Sequence, residues 1–272
     1  MKHFLYLSFL ISTLLSIIPI NGRAPAVHLN FNIGRRVVPI KGAVIVEEEL
    51  ETTVRDDGSG ILWRNTALYG ISEHLGLRLF IPVFLKRKVG NDIARGLSDI
   101  SLEALLIKFL QPYNAGILGL GFFAPTGSIK SRPNLGTGNY NLIFTAQWIH
   151  SSPHWYCSFF LRPVGAIKRH GRYAGSILNF EYLFGPKFIL GNSKLPLATL
   201  LILDGAYRKP AKINGLTVPN TGGTVVILGP FISVRTGRMI VQGRVQFPIL
   251  QRYRGTQEKL NYIAAATVQY YF

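Results

Sequence analysis

Residues 260–272 read Leu260-Asn261-Tyr262-Ile263-Ala264-Ala265-Ala266-Thr267-Val268-Gln269-Tyr270-Tyr271-Phe272. Leu260, Tyr262, Ala264, Ala266, Val268, Tyr270 and Phe272 fall on one face, and Asn261, Ile263, Ala265, Thr267, Gln269 and Tyr271 on the other. A repeat of two is that of a β-strand, whose successive side chains point to opposite faces. The first face suits lipid and the second a polar lumen. Tyr262 and Tyr270 sit near opposite ends, where aromatic girdles meet the two membrane interfaces.

The same alternation recurs upstream. Met239, Val241, Gly243, Val245 and Phe247 interleave with Gln242, Arg244 and Gln246; Leu142, Phe144, Ala146 and Trp148 interleave with Asn141, Thr145 and Gln147. Segments of about ten residues of this kind, split by turn residues, mark a membrane barrel. Twelve strands are expected, near 42–55, 60–71, 74–85, 97–110, 115–124, 138–149, 154–164, 174–184, 196–208, 224–235, 238–249 and 259–272. Short connections such as Ser72-Glu73, Ser151-Ser152-Pro153 and Thr236-Gly237 follow even-numbered strands, as periplasmic turns should. The tight Asp56–Ser59 link and the long stretch 185–195 break this parity, so ten or fourteen strands also fit. The fold class is all-β: a transmembrane antiparallel up-and-down β-barrel.

Both termini agree with an outer-membrane address in a Gram-negative bacterium. Met1-Lys2-His3 is a basic start, Phe4 to Ile20 is nearly all apolar, and Ala24-Pro25-Ala26 offers small residues for cleavage. Residues 1–26 therefore read as a signal peptide, 27–41 as a periplasmic lead-in and 42–272 as the barrel. Phe272, closing an amphipathic strand, resembles the C-terminal aromatic signal that barrel-assembly machinery recognises. The chain is 48 % hydrophobic and only 16 % charged, yet no later run is long enough for a spanning helix. Its net charge is +17, and export points that charge away from nucleic acid. Lys86, Arg87, Lys88, Lys130, Arg132, Lys168, Arg169, Arg172, Lys209, Lys212, Arg252 and Arg254 all fall in expected outer loops, suited to lipopolysaccharide phosphates. Cys157 stands alone, so no internal disulfide can form.

Four short stretches resemble one family. Leu68-Tyr69-Gly70-Ile71-Ser72-Glu73-His74-Leu75-Gly76-Leu77 is similar to the turn YGLTDRLELG of the MetA-pathway of phenol degradation family of outer-membrane proteins. Gly96–Leu102 resembles its GLGDLSL, Ala124–Ser128 its PTGS, and Leu135–Gly138 its LGTG, in the family's order. The resemblance implies an outer-membrane barrel carrying small hydrophobic or aromatic compounds. It supplies no catalytic residues, and His74 stands where the family turn has arginine.

No nucleophile elbow, zinc-protease helix or phosphate-cradling loop is present. His150 and His154 flank a turn, the mature histidines lack a barrel-lipase serine pattern, and no metal or cofactor is expected. An ionisable group on the lipid face at mid-bilayer costs about 2–4 kcal/mol for Arg or Lys. Charges at strand centres are therefore placed inside: Arg78, Asp99, Glu103, Arg162, Glu181, Asp204, Arg208 and Arg244, with alternate members of the Glu47–Glu51 cluster meeting basic groups there. Two readings stay open, a channel for small hydrophobic, aromatic or anionic solutes and a plugged structural barrel; a lipid hydrolase is a weaker third. The four basic and four acidic inward groups would make a nearly neutral constriction beneath a cationic mouth, which favours anions.

Overall fold

A computed structural model describes residues 41–272, apart from 112, 169–170 and 191–194. The expected signal peptide and nearly all of the lead-in lie outside the described residues. Twelve long strands follow one another: β1 (Val44–Arg55), β2 (Gly58–Gly70), β3 (Leu75–Val89), β4 (Ile100–Gln111), β5 (Asn114–Ala124), β6 (Asn141–Ser151), β7 (Trp155–Ala166), β8 (Ile177–Leu190), β9 (Leu195–Arg208), β10 (Gly223–Thr236), β11 (Met239–Tyr253) and β12 (Leu260–Tyr271). Each pairs antiparallel with its chain neighbours, and β12 returns to β1, with Val46 opposite Tyr270 and Thr53 opposite Ile263. The sheet is thus a closed twelve-stranded barrel. Closure leaves no strand edge unpaired, which the absence of water in a bilayer core requires.

Alternation decides which face each strand buries. In β5 and β6, Leu118, Leu120, Phe122, Leu142, Phe144 and Trp148 are exposed on the outside, while Ile117, Ile143, Thr145 and Gln147 are buried within. Among the described residues, Glu48 on β1 and Lys108 on β4 are charged side chains on the outward face. Lys108 stands near the strand end, where a long stem can carry its ammonium toward water.

Three sequence expectations need correction. Leu260 is buried, not lipid-facing: the register slips between Val54 and Arg55, so Asn261 is an extra residue and the alternation reverses beyond it. The eighth strand does not stop at Phe184. It runs through Gly185-Pro186 to Leu190, leaving only 191–194 before β9, so the apparently long turn is part of the wall. The outer loop expected at 86–96 is mostly strand: β3 runs on through Lys86, Arg87 and Lys88 to Val89, Asp92–Leu97 folds back on its upper part, and β4 starts at Ile100 against its lower part.

One end of the barrel now carries short turns throughout. The other carries the long connections 125–140, 167–176, 209–222 and 254–259, together with the tight Asp56-Asp57 link.

Candidate functional site

From the short-turn end upward the lumen has three layers. The lowest holds an apolar cluster, with the buried polar side chains Ser151, Lys187, Ser233, Gln242 and Gln269 beside it. Ile45, Leu68, Leu105, Ile107, Ile117, Ile149, Tyr156, Leu183, Leu200 and Phe231 are buried and pack into one cluster, with Tyr271 against it. These come from strands all round the wall, so the cluster spans the lumen.

Above it lies a charged belt in two halves. On one side Glu103 of β4 takes two guanidiniums, Arg78 of β3 and Arg162 of β7, and Thr145 donates to the same carboxylate at 3.1 Å. On the other, Arg244 of β11 reaches Glu49 and Glu51 of β1, each at 2.6 Å, and donates through Nε to Gln246 at 2.9 Å. Arg64 of β2 holds the same two carboxylates, at 2.7 Å to Glu51. Gln246 in turn donates to Asp204 of β9 at 2.8 Å. Fork-shaped guanidiniums on carboxylates are the strongest neutralising contacts available in such a site.

The structure therefore brings together Arg78, Glu103 and Arg162, and separately joins Arg244 to Asp204 through Gln246. Glu181 of β8 and Asp204 of β9 are direct cross-strand neighbours. Asp99 sits between the folded-back strand and β4, and Arg208 lies near the long-loop end of β9, both lining an upper cavity. Sequence reasoning missed Arg64 as a partner of the glutamate cluster. Its signal was available, since Trp63 and Tyr69 mark the opposite, outward face of β2, but apolar and polar residues mix on both faces there.

Two cavities flank the belt. The lower, 250 Å³, lies between the apolar layer and the belt. The upper, 300 Å³, opens toward the long loops and is lined by Phe80, Phe84, Phe123, Asp99, Arg162 and Arg208 among others. Arg64, Phe80 and Arg162 line both, and so stand between them. The Arg162 guanidinium also lies 5.5 Å from the centre of the Phe123 ring, a cation–π contact.

The long connection 125–140 is clasped to the rim by three of the sequence motifs. Asp99 accepts from the Gly127 amide at 3.0 Å and from the Thr137 amide and hydroxyl, both at 2.7 Å. The Ser98 hydroxyl donates to the Leu135 carbonyl at 2.6 Å, and Thr126 donates to the Ser98 carbonyl at 2.8 Å. Gly127 and Gly136 touch backbone to backbone: a Cβ on Gly136 would stand 2.4 Å from the Asp99 carboxylate and 2.7 Å from Gly127 Cα. Gly136→Val is therefore expected to spring the loop, seen as faster proteolysis within 125–140 of a barrel that still migrates as folded. Proteolysis equal to wild type would show that the clasp does not hold the loop.

Among known proteins, the sequence profile of the family described as "Putative MetA-pathway of phenol degradation" matches residues 28–193. The chain belongs to this family. Among solved structures, the COG4313 outer membrane channel from Pseudomonas putida F1 superposes with a TM-score of 0.66 at 14 % identity, over 87 % of this chain and 97 % of that one. The KdgM porin superposes at 0.47 and 11 % identity, over 83 % of this chain and 98 % of that one. No curated protein matches the sequence. Family membership and the closed twelve-stranded barrel together make the chain an outer-membrane β-barrel protein.

Proposed function

We propose that the chain is a narrow channel for small solutes that join an aromatic or other apolar part to an anionic group. The upper cavity carries this reading: Phe80, Phe84 and Phe123 share one chamber with Arg162 and Arg208. Phenylalanine rings offer stacking surface, and guanidiniums hold a carboxylate or phenolate. A volume of 300 Å³ is at the lower limit of ligand pockets, about 300–1,000 Å³, which restricts the chamber to small molecules.

In this reading the short turns face the periplasm and the cationic long loops face out. Mouth cations raise the local concentration of anions, an effect that fades with salt because screening shortens to about 8 Å near physiological ionic strength. Export and folding then run through the signal peptide 1–26, the barrel-assembly machinery and Phe272. The packed apolar layer favours a second reading, a plugged structural barrel. Benzoate and glucose distinguish the two in planar bilayers. A channel of the proposed kind conducts, prefers anions at low salt, and is blocked by millimolar benzoate but not by glucose. Benzoate block lost in Phe123→Ala, with conductance kept, would locate the solute in the upper chamber. Conductance indifferent to benzoate would refute the solute class.

A further inference from the structure

Outside the lumen, the connections 167–176, 209–222 and 254–259 build a second site. Arg172–Tyr173, Lys212–Ile213 and Leu216–Thr217 form a small antiparallel sheet of their own. Its hairpin turns at Asn214-Gly215, whose φ angles of +50° and +86° suit a two-residue turn of type I′. The Asn214 amide donates to the Gly171 carbonyl at 2.8 Å, and the Lys209 amide donates to Ser176 at 2.9 Å. The third connection is tied in by the Thr256 amide, 2.8 Å from the Asn220 side-chain oxygen. Three separate loops are thereby held as one wall.

Between them is a hollow of 620 Å³ lined by Lys168, Lys209, Lys212, Arg254, Tyr173 and Tyr207, with no carboxylate among its lining residues. The arginines of the lumenal belt are paired with glutamates; here four cationic side chains converge on a hollow whose lining includes no carboxylate. The Ser176 hydroxyl, hydrogen-bonded to the Tyr173 phenol at 2.8 Å, holds that phenol below its usual range, and the Lys209 and Lys212 charges add to the effect. Such a field selects an anion rather than a cation or a neutral ligand.

Position identifies the anion's source. Tyr207 projects from the outer face of β9, on the side opposite the inward Arg208, and is 46 % exposed. The hollow therefore has at least one wall, Tyr207, on the outer, lipid-facing side of the barrel at its long-loop end. We propose that this three-loop hollow binds the phosphate of a neighbouring glycolipid, of the lipid A type, in the outer leaflet. The inference rests on the long loops facing outward, but on no solute passing through the lumen.

The test uses the full barrel in detergent and native mass spectrometry, with diphosphoryl, monophosphoryl and dephosphorylated lipid A and inorganic pyrophosphate as probes. Retention should follow phosphate number. Lys209→Ala/Lys212→Ala/Arg254→Ala should weaken diphosphoryl lipid A binding by at least about tenfold, since each lost cation removes a charge-assisted contact. Lys86→Ala/Lys130→Ala, on β3 and on the connection 125–140, should leave it unchanged, and heat-modifiable migration checks that each variant is folded. Equal binding by the triple variant, equal loss in the control variant, or equal retention of dephosphorylated lipid would overturn the site. Pyrophosphate binding without lipid A retention would overturn the lipid source. Conductance is read separately, so failure here is distinguishable from failure of the channel reading.

Discussion

Glu103→Ala is expected to destabilise the barrel by about 3 kcal/mol and to lower the temperature at which its compact form is lost on detergent gels. Glu103 is 1 % exposed and neutralises two guanidiniums, so its removal leaves Arg78 and Arg162 facing each other. Breaking a buried ion pair by deleting one partner costs about 3–5 kcal/mol, because the remaining charge is stranded away from water. The adjoining 250 Å³ cavity leaves room to hydrate both arginines, which puts the cost at the lower end. Thr145→Ala, losing a single hydrogen bond to the same carboxylate, should cost only about 1 kcal/mol. Adding Arg78→Met and Arg162→Met to the alanine variant should recover much of the loss, as apolar replacements of buried ion pairs do. A Glu103→Ala barrel that melts with wild type would mean the belt is hydrated well enough to need no pairing.

The second large effect is on assembly. Deleting Phe272, or replacing it with Asp, should leave little protein in the outer membrane and send the rest to periplasmic aggregates or degradation. Phe272 lies at the seam where the sheet closes. Its amide donates to the Val44 carbonyl at 2.9 Å, and its ring meets Tyr270 with centroids 4.7 Å apart. Loss of the residue therefore removes a contact between the last strand and the first, besides any recognition by the assembly machinery. Refolding into detergent separates the two effects. A deletion that refolds normally in vitro but fails in cells points to recognition; failure in both points to the seam. Normal outer-membrane levels would exclude either role.

The barrel was legible in the sequence because alternation is a local property. A strand facing lipid on one side must repeat every second residue, as Tyr262 to Tyr270 does. What alternation hides is any place where the chain departs from it. Gly185-Pro186 reads as a turn yet continues β8, because its neighbours on β7, Tyr156 and Trp155, still pair with it. Asn261 shifts the phase and buries Leu260. The inward charges could be proposed from strand centres, but not their partners. Pairing depends on how twelve strands stagger round the barrel, which brings Arg244 to Glu49 across 195 residues. The short motifs illustrate the same limit. Separately they are glycine-rich turns; folded, Asp99, Gly127 and Thr137 form a single clasp. The loop hollow was foreshadowed only as scattered lysines, since the strand pairing that gathers them spans short segments with no periodicity.

Single-channel recording on refolded protein in planar bilayers tests the central claim most directly. With Arg64, Phe80 and Arg162 standing between two small cavities, a channel should show a steady but small conductance, larger in Phe80→Ala and biased toward anions at low salt. Folded protein that inserts yet stays silent, in the wild type and in Phe80→Ala alike, would contradict it and make the barrel a structural one.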